Sequence, residues 1–193
     1  MIEAALAAGV VNFGENRVQE AERKIRSLRE RGLKDLQWHL IGHLQSNKAR
    51  KAVQLFEVVQ SVDSIDLARR LDRICREEDR KCLPVFLQVD LAGETTKSGV
   101  AENELMVLAD HLSMSERLRF DGLMLIPPYF ENAEHARPFF RRLRELRDHL
   151  AEQDAFNGRL GELSMGMSHD LEVAVEEGAT LVRVGTAIFG ERQ

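Results

Sequence analysis

The chain has 193 residues, 44% hydrophobic and 31% charged, with 27 Lys and Arg against 32 Asp and Glu, for a formal net charge of −5. That length fits a single domain, residues 1–193, with a substantial core, and the composition is that of a globular protein. The acidic balance without a basic block argues against a nucleic-acid partner, and no apolar run nears the roughly 18 residues of a membrane span.

The first residues, MIEAALAAGVV, lack the basic start and long apolar core of a signal peptide. Ile2 to Ala8 reads as the tail of a helix closed by Gly9, and Val10 to Phe13 as a short strand. FGEN then turns into a helix from about Glu15 to Arg31. Val18, Ala21, Ile25 and Leu28 form its inner face, and the pairs Glu20–Lys24 and Glu22–Arg26 lie on its wet face. Leu36 to Ile41 is a second strand, Ser46 caps a short basic helix, and Leu55 to Val62 is a third strand. Ser64 caps a helix with Leu67, Leu71, Ile74 and Cys75 inward. Leu83 to Leu91 is a nearly all-apolar strand, which suits a strand covered on both faces. The polar loop AGETTKSG follows, then a helix from Glu102 to Ser113, a strand from Leu118 to Ile126 and a long helix from Asn132 to Gln153. Phe139 and Phe140 on that helix read as core packing. The last two strands lie near Glu162 to Met165 and Thr180 to Val184.

Seven strands alternating with helices predict a parallel α/β fold. An open doubly wound sheet and a TIM-type barrel both fit. The polar and Gly-rich residues gather where strands end, as in FGEN, IGHLQSN, QSVDS, IPPY, MGMS and VGT, and no G-x-G-x-x-G is present. This favours the barrel. A closed barrel needs eight strands, so one is missing from the count.

The C-terminal stretch LSMGMSHDLEVAVEEGATLVRVGTAIFG holds two strand-then-turn units, one ending in Gly166, Met167 and Ser168, the other in Gly185 and Thr186. Glycine lets backbone N–H groups approach an anion, hydroxyls add donors and a helix start adds positive potential. Two such turns on neighbouring strands describe a phosphate cup, with Arg183 on the same strand face as Gly185.

FGENRVQE at 13–20, WHLIGHLQSNK at 38–48, TKSG at 96–99, LSMGMSHD at 163–170 and VRVGTAIFG at 182–190 together resemble the YggS/PROSC family of pyridoxal 5′-phosphate homeostasis proteins. The resemblance runs through essentially the whole chain. It implies a (β/α)8 barrel of the fold-type III, alanine-racemase-like kind, lacking its first strand here. It also implies pyridoxal 5′-phosphate (PLP) as cofactor, with phosphate at Ser168, Gly185 and Thr186 beside Gly166 and Met167. Arg183 would face the pyridine nitrogen, and Asn16 and His39 would stand near the ring. The family implies a non-catalytic, cytoplasmic, monomeric protein that binds or buffers the cofactor. A racemase-like enzyme and a vestigial scaffold are the alternatives.

The family's Schiff-base lysine belongs to a first-strand segment upstream of FGEN, and no residue here matches it. The expectation is therefore an N-terminally truncated chain, non-covalent binding at best, and exposed edges at the first and last strands that could support self-association. Lys97 and Lys48 lie on the correct side of a barrel but read as solvated. His39 and His43 are not placed to share a metal. Asp63 and Asp90, at strand ends, read as helix caps or loop anchors before acid–base groups, and Lys48, Arg50 and Lys51 as a solvated face. Cys75 and Cys82 read as free thiols.

Overall fold

The computed structural model describes residues 2–33, 36–93 and 98–190. The expected alternation is present: α1 (Ile2–Ala7), β1 (Asn12–Glu15), α2 (Val18–Glu30), β2 (Gln37–Leu40), α3 (Ala49–Leu55), β3 (Val58–Val62), α4 (Ile65–Glu77), β4 (Leu83–Asp90), β5 (Val100–Ala101) and α5 (Glu102–Ser113). These are followed by β6 (Leu118–Met124), α6 (Arg137–Glu152), β7 (Glu162–Met167), α7 (Leu171–Glu176), β8 (Leu181–Arg183) and α8 (Thr186–Phe189). The strands pair in the order β1-β2-β3-β4-β6-β7-β8, every pair parallel. This is a barrel wall wound in chain order with helices outside. Among the described residues no pairing joins β1 to β8, so these two strands are the edges of the wall.

The core lies on both faces of the wall. The β4 side chains are almost wholly buried, as expected for a strand between a packed lumen and a helical shell. Leu67, Leu71, Ile74 and Cys75 of α4 are buried in the core, and Ser64 Oγ accepts the Leu67 N–H at 3.4 Å as the expected cap. Phe140 is fully buried, while Phe139 packs only partly against the core.

Several boundaries differ from expectation for identifiable reasons. β1 starts at Asn12, because the Val10 N–H still closes the turn of α1 on Ala5 O. Glu15 belongs to β1 and not to the next helix. Its carbonyl accepts from Ile41 N–H, and its carboxylate is buried and takes Lys24. That removes Lys24 from Glu20, which pairs with Arg17 at 3.2 Å instead, whereas Glu22–Arg26 forms as expected at 3.6 Å. Ser46 sits inside a 3-10 turn with no side-chain cap there. β3 begins only at Val58, since α3 continues to Leu55.

The short β5 was not anticipated. It lies beside the C-terminal end of β4, pairing Val89 with Val100 and Asp90 with Ala101. A strand of two residues after a polar loop leaves no periodicity to read. Both cysteines are free, Cys75 buried and Cys82 exposed at the start of β4.

Candidate functional site

The two C-terminal turns meet as the sequence suggested. Gly166 has φ +89°, and a Cβ there would fall 2.5 Å from Ala174 Cβ, so only glycine lets β7 bend this closely over α7. The Met167 N–H then donates to Asp170 Oδ1 at 2.7 Å. Ser168 Oγ accepts from the Gly185 N–H at 3.2 Å and the Ala187 N–H at 3.3 Å. Space beside Gly185 is open among the described residues, since a Cβ there would meet none of their atoms within 4 Å. Thr186, the first residue of α8, is exposed next to it. The Gly185 and Ala187 N–H groups thus gather on the Ser168 hydroxyl beside Thr186, groups of the kind that receive an anion.

Arg183 closes β8 and points inward. Its Nη1 donates to Ser164 Oγ at 2.9 Å and its Nη2 to Leu125 O at 2.7 Å. Burial brings the Arg183 pKa down to about 10, with Asp170 opposing the shift, so the group stays cationic at neutral pH. Contacts continue from Ser164 across the lumen. Ser164 Oγ donates to Gln60 Oε1 at 2.7 Å, Gln60 Nε2 lies 2.9 Å from His39 Nδ1, and His39 Nε2 lies 3.3 Å from Asn12 Oδ1. Burial lowers the His39 pKa, which favours the neutral ring. Gln60 and Ser164 were not singled out from the sequence. The available signal was a polar residue within an apolar strand, in VVQSV and ELSMGM.

Asn16 stands apart, exposed at the end of β1. Gly42 is fitted against it: a Cβ at Gly42 would lie 2.3 Å from Asn16 O. Both line a cavity of about 200 Å³ at the mouth, together with His43, Gln88, Asp90 and Ser98. Gln88 Nε2 donates to Ser98 O at 2.6 Å, while its buried Oε1 has no partner among the described residues. Asp90 Oδ1 accepts from the Ala92 and Gly93 N–H groups at 3.0 Å each, and Asp63 lies 3.5 Å from His43. Asp90 thus anchors its loop.

The basic run on α3 is tied down by carboxylates, Arg50 to Glu77 and Glu78, and Lys51 to Glu22 at 2.6 Å. Lys97 lies outside the described residues, and Lys48 ends the 3-10 turn before α3. Among the described residues no group of three or more His, Cys, Asp or Glu is placed to hold a metal ion, and no helix is long and apolar enough to cross a membrane.

A parallel barrel wall with its donors and its inward arginine at the C-terminal strand ends defines an alanine-racemase-like barrel. Residues 1–193 match the family model for the alanine racemase N-terminal domain. The pyridoxal phosphate homeostasis protein of Pseudomonas aeruginosa is 46% identical over 193 residues, covering 99% of this chain and 79% of its own length. That of Aquifex aeolicus is 44% identical over 185 residues, covering 96% and 78%. PipY of Synechococcus elongatus, solved with PLP bound, superposes with a TM-score of 0.88 at 45% identity, covering 98% of this chain and 86% of its own. An alanine racemase of Clostridium difficile shares the fold at TM-score 0.72 and 16% identity, covering 95% of this chain and 48% of its own. The chain belongs to the pyridoxal phosphate homeostasis protein family, within the alanine racemase N-terminal domain family.

Proposed function

We propose that this chain binds pyridoxal 5′-phosphate as a monomeric, cytoplasmic, non-catalytic homeostasis protein. The observation that carries this is the convergence of the Gly185 and Ala187 N–H groups on Ser168, with Arg183 on the adjoining strand. The residues fit the cofactor's chemistry. Ser168, Thr186 and the backbone N–H groups of the Gly185 turn suit the phosphate, with Gly166 and Met167 shaping the neighbouring turn. Arg183, which has donors only, suits the pyridine nitrogen. Asn16, in the cavity at the mouth, and His39, beside Gln60, are the candidates to stand near the ring.

When bound, PLP supplies an aldehyde and an electron-withdrawing ring. An arginine donor leaves no proton on the ring nitrogen and so weakens that electron withdrawal, which suits keeping the cofactor over using it. The names of the relatives support the same reading.

Isothermal titration of the chain with PLP tests it. Binding is expected, with Ser168→Ala weakening it about tenfold, the scale of one hydrogen bond to a charged group. Pyridoxal, which lacks the phosphate, should bind at least about tenfold more weakly than PLP. No binding, or equal affinity for PLP and pyridoxal, would overturn the proposal.

A further inference from the structure

The contacts that run inward from Arg183 have a direction. Arginine carries donors and no acceptor, so Ser164 Oγ must accept from Nη1 at 2.9 Å. Ser164 is fully buried, and its hydroxyl hydrogen needs an acceptor. Gln60 Oε1, 2.7 Å away, is that acceptor. With its oxygen so used, the Gln60 amide turns its Nε2 toward His39 Nδ1 at 2.9 Å, and NH2 can only donate. Nδ1 therefore keeps its lone pair, and the proton of the neutral ring sits on Nε2, facing Asn12 Oδ1 at 3.3 Å. The opposite amide orientation would leave the buried Ser164 hydroxyl hydrogen without an acceptor, a cost of the kind interiors avoid.

We propose that Gln60 and Ser164 are positioning residues. With His39 they form a one-way donor chain from Arg183 to Asn12 that fixes the Nε2–H tautomer of His39 and the orientation of the guanidinium. The chain links the two edge strands: Arg183 ends β8 and Asn12 begins β1, and side chains join them across the lumen where no backbone pairing does among the described residues. Burial that keeps His39 neutral is consistent with this tautomer. The consequence for the cofactor rests on the reading of Arg183 as the pyridine-nitrogen donor; the consequence for the tautomer does not.

Nitrogen-15 NMR of the histidine side chains in the cofactor-free chain tests the tautomer, with His39 assigned by the resonance lost in His39→Asn. A protonated Nε2 and a bare Nδ1 are expected, and a protonated Nδ1 overturns the chain's direction without any variant at Gln60. In Gln60→Glu the new carboxylate can only accept, so the proton should appear on Nδ1. An unchanged His39 spectrum in folded Gln60→Glu would also overturn the proposal. Asn12→Ala, at the exposed end of the chain, should leave the tautomer as it is.

Positioning is read separately by titration. Gln60→Met should bind PLP about tenfold more weakly than wild type, the scale of one hydrogen bond to a charged group. Its affinity for inorganic phosphate, which engages only the Ser168 turn, should not change. Equal PLP affinity in folded Gln60→Met overturns the positioning role. Absence of PLP binding in the wild-type chain defeats the proposed function and leaves the tautomer result standing.

Discussion

Glu177 shows how a single side chain ties elements together outside the mouth. Its carboxylate, 5% exposed, takes Arg141 at 3.0 Å, Arg137 at 3.2 Å and Arg144 at 3.0 Å, all on α6, and so fixes the end of α7 to that helix. Hydrogen bonding from Arg141, and then from Arg137, holds the Glu177 pKa below the ordinary 4.5. A depressed carboxylate pKa contributes stability that is complete above the unfolded value and is lost as the pH falls through the folded one. Glu177→Gln should therefore cost about 1 kcal/mol at neutral pH, a modest figure because the arginines stand partly in water. The gap between variant and wild type should close as the pH drops below about 4. Urea unfolding at several pH values measures this, and a gap that stays constant into acid would contradict it.

At the same scale, the meeting of the Ser168 and Gly185 turns was legible because hydroxyl and glycine follow strands there, with Arg183 ending the second strand. Gln60 was not, since its role depends on meeting Ser164, 104 positions away. Sequence spacing carries no trace of a contact across a lumen. Lys24 shows the same limit in reverse: a helix-face pairing rule assigned it to Glu20, and tertiary structure gave it to the buried Glu15.

Among the elements, the helices were the easiest to foresee, since an inner face such as Val18, Ala21, Ile25 and Leu28 repeats at helical spacing and is buried as read. Short strands were harder. β1 has four residues and β8 three, too few for alternation to fix a boundary. These two strands also differ from the others in having a backbone partner on one side only among the described residues. Their amides should exchange with solvent fastest of the seven wall strands, and those of β4 and β6, paired over six registered positions, slowest. Hydrogen exchange followed by mass spectrometry reads this directly. Equal protection across the wall in dilute protein would count against open edges.

For the molecule as a whole, the barrel followed from where polar residues fall, at the ends of successive strands, and the count of seven wall strands agreed with the pairing path. What the count could not give was the extra strand beside β4, or the way apolar side chains stay exposed around the edges, as Val10, Val11 and Val182 do. An exposed apolar edge is the kind of surface to which another strand could add.

The two cysteines turn this architecture into a chemical clock. Cys82, exposed just before β4, lies at the floor of the barrel, the end away from the mouth, whereas Cys75 sits in the core with burial pushing its thiol up to about 11. A maleimide reagent should attach to one thiol of the native chain at once and to the second only when α4 lifts from the sheet. The rate of that second labelling then times the opening of the core from a probe placed remote from the Ser168 turn. Rapid double labelling under native conditions would show that α4 is not the seal it is drawn to be.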